Sequence, residues 1–392
     1  MVPDDSAAPT IGNGTNELWV HALAAKVGGG LTYLHAVVPE LIAQLEGRNV
    51  RLILLLPEDY EFEPLPWVSV YTMTAVSGSP VARIIFDQVL LPIWLAFRPR
   101  AALFCSGNFA PVAKPVATVV LVRNAIYFDK RDFLDRERWS RRLLLRLQGA
   151  LIRMGARGCA SVHFPSQYMR RTFESSRGPS AQRGRVNYYG IGRRFSDELS
   201  MQCPEREQGR PYRFLMVMNY TLQKNLSFVL RALAKAKAEG LQVRVTVTSK
   251  LANGPRVSRD WDRHFIASRE LVESGHLELA GPLYGRELID MYLASDGCLM
   301  PSFCESFAHP LVEAMSLGKP LICADRPFAR EICGDGALYV DPERPEELVR
   351  LWWDWPAPLI DVRPRTRAEL LRTFSWSAHV ARLLDDLGVQ PV

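Results

Sequence analysis

The feature that most constrains the fold is an alternation of short apolar runs with amphipathic stretches that breaks once and then starts again. In the first half, apolar runs near 17–25, 51–56, 68–75, 101–105, 116–122 and 159–164 are spaced by helical patterns near 31–46, 81–97 and 130–156. Such alternation indicates a parallel sheet covered by helices. A further strand, 186–189, leads into Gly190-Ile191-Gly192, after which residues 193–211 lose periodicity and read as an exposed linker. The rhythm then resumes, with strands 213–218, 242–248, 276–279, 297–301 and 320–324 and helices 225–239, 258–273, 285–294 and 310–317. The expected fold is α/β, with two tandem doubly wound, Rossmann-like domains facing a cleft. The first covers 1–195, a linker covers 196–211, the second covers 212–365, and a C-terminal helix in 366–392 packs back across the domains beside the three tryptophans of LWWDWPAPLI. Ligands bind such folds at the carboxyl ends of the strands, which points to a nucleotide or sugar phosphate.

Composition narrows the class. At 392 residues, 48% hydrophobic and 23% charged, the chain has an ordinary globular make-up, and its +6 net charge favours anionic partners without choosing among them. Seven scattered cysteines with no CxxC pair fit neither a disulfide framework nor a zinc site, and predict a reducing cytosol. The N-terminus has no basic or apolar leader pattern, and Val81 to Phe97 is interrupted by Arg83, Asp87, Gln88 and Pro92, short of the ~20 apolar residues of a membrane span. A cytoplasmic protein is expected. No P-loop, G-x-G-x-x-G or G-x-S-x-G is present, which argues against kinase, NAD-dependent and hydrolase readings. Asp260-Trp261-Asp262 falls in a helical pattern, where residues two apart do not share a face, and the seven histidines show no ligand spacing, so no metal is expected.

The most informative stretch is Met300 to Asp341, MPSFCESFAHPLVEAMSLGKPLICADRPFAREICGDGALYVD. Pro310 suits a first helical position and Gly318 a stop, so 310–317 reads as a short helix with Glu313 in its first turn and Glu305 in the loop before it. A helix N-terminus favours a phosphate, and two carboxylates eight residues apart can accept hydrogen bonds from sugar or ribose hydroxyls.

This segment closely resembles the retaining glycosyltransferases of family four, whose signature is E-x-F-G-x-x-x-x-E-A-M followed by G-x-P. It reads here Glu305-Ser306-Phe307-Ala308-His309-Pro310-Leu311-Val312-Glu313-Ala314-Met315, then Gly318-Lys319-Pro320. The resemblance implies the GT-B architecture and a nucleoside-diphosphate-sugar donor. It places Glu305 beside the donor sugar, Glu313 on the ribose hydroxyls, and Phe307, Ala308, His309, Pro310 and Leu311 around the donor, with Ala308 where the family has Gly. Lys224 matches a Lys that holds the donor diphosphate, while Asn219 stands where an Arg is usual; Arg123, Arg193 or Arg194 are candidates to replace that charge from across the cleft. Gly28-Gly29-Gly30 resembles the loop under the donor phosphates, with Gly29 and Gly30 as donor contacts. Arg123 and Asn124 fall near the acceptor or sugar side and open an R-N-x-x-x-F variant, similar to members that build bacterial surface polysaccharides.

The implied activity is retaining, metal-independent transfer of a hexose-type sugar to an acceptor hydroxyl of a glycan or lipid-linked acceptor, with Glu305 and Lys224 as catalytic residues and no cofactor beyond the donor. Two alternatives stand beside it: a GT-B nucleotide-sugar epimerase and a non-catalytic nucleotide-sugar binding subunit. Nucleic acid is not an expected partner. Along 130–157, at about 100° per residue, Arg131, Arg138, Arg142, Arg146, Arg153 and Arg157 share one stripe, while Leu143, Leu144, Leu147, Leu151 and Met154 gather opposite and are expected in the core. The stripe, Arg138, Arg142, Arg146 and Arg153 above all, is either an ordinary solvated face or a dock for an anionic membrane, which would put the protein at the inner face of the membrane.

Overall fold

The computed structural model describes residues 15–25, 29–57, 65–129, 139–175, 184–197, 209–249 and 268–389. They form two compact units: residues 1–128, 144–190 and 375–392 make one, and 129–143 with 191–374 the other.

The first unit holds β1 (Glu17–His21), β2 (Arg51–Leu56), β3 (Val68–Thr72), β4 (Ala101–Cys105), β5 (Ala117–Leu121), β6 (Ser161–Phe164) and β7 (Gly184–Val186). They pair in parallel in the order β3-β2-β1-β4-β5-β6-β7. Trp19 of β1 pairs with Ile53 on one side and Leu103 on the other. All five residues of β4 are buried, as an interior parallel strand covered on both faces must be. The second unit holds β8 (Tyr212–Met216), β9 (Val243–Val247), β10 (Leu277–Leu279), β11 (Gly297–Met300), β12 (Leu321–Ala324) and β13 (Leu338–Val340), ordered β10-β9-β8-β11-β12-β13. Its core gathers Phe214, Phe228, Val245, Leu299, Ile322 and Trp352.

Several boundaries differ from the sequence reading. The chain leaves the first unit at Gly190 rather than 195, because the helix Arg193–Asp197 packs with the second. The C-terminal stretch is two helices: Arg367–Thr373, opened by a Thr366/Glu369 capping box, belongs to the second unit, and Trp376–Asp386 to the first. Trp352 and Trp355 are buried against Phe214, whereas Trp353 is half-exposed and donates to Glu239. The apolar run 81–97 is helical up to Ala96 but divided, as Pro80–Ile85, a π turn Phe86–Leu90 and Leu91–Ala96.

The helix Trp139–Ala156 corrects the largest expectation. Its buried face is Gly149, Ile152 and Gly155, while Leu143, Leu144, Leu147 and Met154 are exposed. A Cβ on Gly155 would strike the Ala110 carbonyl, and one on Gly149 would lie 3.0 Å from the Tyr127 carbonyl. Close approach of backbone to backbone through glycine therefore chose the buried face over the leucine stripe. Among the arginines, Arg146 is exposed, Arg142 and Arg153 are half-buried, and Arg153 lies 5.1 Å over the Phe128 ring. Arg131 and Arg138 lie outside the described residues.

Candidate functional site

In the second unit the strand order reverses between β8 and β11, so their outgoing loops part company at a topological switch point, where α/β sheets open a crevice. Both loops carry residues singled out from the sequence. After β8 the chain makes a 3-10 turn, Leu222–Lys224, and Asn225 adopts the left-handed conformation, φ 56°, before the helix Leu226–Ala238. The buried Asn225 side chain donates to the Pro301 carbonyl at 3.2 Å and the Pro342 carbonyl at 2.9 Å, and the Phe303 N–H donates to the Gln223 carbonyl at 2.8 Å. These bonds pin the β8, β11 and β13 loops together. They set Lys224 Nζ 2.7 Å from Glu305 Oε1, with both side chains largely buried.

Six residues on from Phe303, the helix His309–Ser316 begins. Ala308 precedes it at φ 63°, ψ 70°, in the left-handed region, so a Gly at this position would relieve backbone strain. The helix starts one residue earlier than its sequence suggested, which places Glu313 in the second turn. Glu313 Oε2 accepts a 2.8 Å hydrogen bond from the fully buried Tyr292 hydroxyl. Burial pushes the Glu313 carboxyl up to about 7, against the opposing pulls of that hydrogen bond and of the Lys224 charge. Tyr292 sits on Gly285–Ala294 and meets the Phe195 ring edge-on at 5.9 Å.

Phe307 and Leu311 are buried; Phe307 packs against Phe374 and the His309 ring and so supports the loop from beneath. His309 and Pro310 are half-buried at the helix start, and Asn219 is exposed. Lys319 proves structural: its buried Nζ donates to the carbonyls of Leu293 and Ser295, a cation closing the end of Gly285–Ala294. Arg193 and Arg194 belong to this same unit rather than facing it from elsewhere, and the Arg194 guanidinium lies against Gly285, whose φ of +54° and missing side chain make room for it.

In the first unit, Gly29 and Gly30 open the helix Gly29–Leu45; Gly28 lies outside the described residues. Space around Gly29 is open, but a Cβ on Gly30 would stand 3.0 Å from Arg123 Nη2 and 3.2 Å from the Ala25 backbone. The Arg123 backbone N–H donates to Asn108 Oδ1 at 2.7 Å, and its guanidinium lies 5.3 Å from the centre of the Tyr33 ring. Asn124 caps the 3-10 turn Ala125–Tyr127 through its own side chain, a local structural role. Thus the structure joins Lys224 to Glu305, Glu313 to Tyr292, and Gly30 to Arg123. Tyr292, Asn225 and Tyr33 were missed, because a lone aromatic or amide within a periodic run gives no signal of what it will face. No group of three or more His, Cys, Asp or Glu suited to a metal exists among the described residues, and Asp260 and Asp262 lie outside them.

Residues 202–353 match the family described as Glycosyl transferases group 1. A D-inositol 3-phosphate glycosyltransferase of Corynebacterium glutamicum is 34% identical over 140 residues, 33% of this chain and 32% of the relative. An O-antigen chain mannosyltransferase B of Escherichia coli is 36% identical over 77 residues, 19% of this chain and 20% of the relative. The chain thus spans about a third or less of the length of these curated relatives. Among solved structures, HepE of Anabaena in complex with UDP-glucose superposes with a TM-score of 0.66 at 14% identity, covering 95% of this chain and 100% of that one. That likeness, with the two parallel sheets, establishes a GT-B glycosyltransferase fold. The match over residues 202–353 lies on the unit that holds Lys224, Glu305 and Glu313, so it is this part of the chain that is similar to the glycosyl transferases group 1 family.

Proposed function

We propose that the protein transfers a sugar from a nucleoside-diphosphate donor to an acceptor hydroxyl, with retention of anomeric configuration and without a metal. The observation that carries this reading is the Lys224–Glu305 pair, 2.7 Å apart at the switch point of a group 1 domain. Breaking the anomeric bond builds positive charge on the sugar and negative charge on the departing phosphate, and preorganised charges and dipoles lower such a barrier most. Lys224 and the N–H groups opening His309–Ser316 would receive the phosphate. Glu305 would stabilise and orient the sugar, and Glu313 would accept hydrogen bonds from the ribose hydroxyls. The leaving phosphate itself would take the acceptor's proton, so no protein base is needed. The HepE complex with UDP-glucose and the relatives' names support a nucleotide-sugar donor and a glycan-type acceptor.

A lipid-linked acceptor at the inner face of an anionic membrane is part of the same proposal. Among the described arginines of Trp139–Ala156 and just beyond it, Arg141, Arg146 and Arg157 are the exposed ones that would meet such a surface. No helix among the described residues is long and apolar enough to cross a membrane.

A panel of nucleotide sugars in a thermal-shift assay tests the donor, since a ligand at a hundredfold excess over Kd stabilises by about 2.7 kcal/mol. NMR of the transferred product reads the anomeric configuration. Interconversion of the donor without acceptor would replace this reading with an epimerase, and donor binding with neither transfer nor hydrolysis would replace it with a binding subunit. Activity is expected to survive EDTA; inhibition reversed by Mg²⁺ or Mn²⁺ would reopen Asp260 and Asp262.

A further inference from the structure

A second element of the first unit presents chemistry that the transfer reading leaves unused. Between β3 and β4, the continuous helical segment of residues 80–96 exposes Val81, Ile84, Ile85, Val89, Ile93 and, just past its end, Phe97, by 48 to 83%. The π turn at Phe86–Leu90 takes up an extra residue, which keeps the two halves of this stripe on one side of the segment. Leu90, Trp94 and Tyr71 widen it, and Trp94 is clasped between Trp19, Tyr71 and Phe86 at 6.0 to 6.5 Å between ring centres. The opposite side, Phe86, Leu91 and Leu95, is buried. Scattered exposed apolar residues are ordinary on a protein surface, but a contiguous helical face of this extent marks an interaction site.

Charge names the occupant. Asp87 is the only carboxylate between residues 65 and 100, and it is turned inward, 2.8 Å from His21 Nε2 and 3.2 Å from Arg83 Nε. The exposed charges that remain on this stretch are Arg98, which lies over the Trp19 ring and 3.6 Å from Glu17, and Arg100, both cationic, at the end where Phe97 projects. An apolar stripe lying along a surface, edged by Trp and Tyr and flanked by arginine, is the make-up of a helix that settles into the interface of an anionic bilayer. We propose that residues 80–97 insert shallowly into such a bilayer, with Arg98 and Arg100 among the headgroups. This goes beyond the arginines of Trp139–Ala156, because it relies on burial of apolar side chains rather than charge alone, and it stands whether or not the protein transfers a sugar.

The test is flotation of the full-length protein with phosphatidylcholine vesicles, with and without about a third phosphatidylglycerol. The wild-type chain is expected to float with the anionic vesicles, and raising salt to 0.5 M should leave much of it bound, since screening acts on charges and leaves apolar burial intact. Replacing Ile84, Ile93 and Phe97 together by Ser should lower the bound fraction about tenfold or more, following the loss of apolar area. Arg146→Glu should lower it much less. All three apolar residues are exposed, so the triple variant should keep its melting temperature and its thermal shift with UDP or GDP. Wild-type protein left at the bottom of the gradient, or a triple variant that floats as well as wild type, overturns the proposal. So does a wild-type dimer in solution that the triple variant dissolves, because the face would then be covered by a second copy of this chain. Absence of sugar transfer by a wild-type protein that floats would count against the transfer reading alone.

Discussion

At the scale of single residues, the Lys224–Glu305 pair makes opposite demands on its two members. Glu305 pairs with the cation that the donor diphosphate is proposed to use. Glu305→Gln is therefore expected to tighten nucleoside diphosphate binding several-fold while transfer falls about a hundredfold, whereas Lys224→Ala should cost about 10²–10³ in rate and weaken binding; calorimetry beside kinetics reads both. Glu313 carries a pH dependence. Burial raises its carboxyl from an ordinary 4.5 to about 7, so over that interval the unfolded chain has lost a proton that the folded one keeps. Its contribution to stability accordingly declines as pH rises from 4.5 to about 7 and is level above it. Ribose recognition by the ionised form runs the other way, so donor KM should fall as pH rises through 7, and Glu313→Gln should flatten the profile. Tyr292→Phe removes a bond that holds the carboxyl down, and is expected to move the midpoint upward with kcat little changed. An unmoved midpoint would leave Tyr292 a packing residue. The motif residues were readable because their spacing is local; Tyr292 was not, because its partner lies 21 residues away in sequence.

At the scale of elements, the helix Trp139–Ala156 shows where periodicity misleads. Five apolar residues on one stripe looked like the core face, yet Gly149 and Gly155 reach closer to the neighbouring carbonyls than any leucine could. Gly155→Ala would raise intrinsic helix propensity but has no room beside Ala110. It should lower stability by about 1–3 kcal/mol, the usual cost of overpacking, read from the urea midpoint. A gain in stability would mean that the helix can shift outward. The π turn at Phe86–Leu90 was equally hidden, since a helical pattern records where apolar residues fall and not where one extra residue is absorbed.

At the scale of the whole molecule, the helix Trp376–Asp386 is distant in sequence from the unit it completes. His379 Nε2 and the Tyr33 hydroxyl share a 2.8 Å hydrogen bond, Asn187 donates to the His379 carbonyl at 3.0 Å, and Asp386 meets His163 at 2.7 Å and Arg185 at 2.7 Å. Burial drives His379 down to about 3, so it is neutral in the fold. Ending the chain at Phe374 would leave Tyr33, Asn187 and His163 buried without these partners, and should abolish the first unit's cooperative melting while the second still unfolds as a unit; calorimetry would resolve the two transitions. A truncated chain with both transitions intact would show the helix to be dispensable. Sequence alone determined the two parallel α/β folds and the residues of the Glu305–Glu313 signature, because apolar periodicity and short motifs depend only on neighbours along the chain. Only the tertiary structure decided which face of a helix is buried, which unit each terminal helix joins, and that Lys224 meets Glu305. Those outcomes rest on how closely backbones can approach and on which buried polar groups find partners, and both are set by residues far apart in the chain.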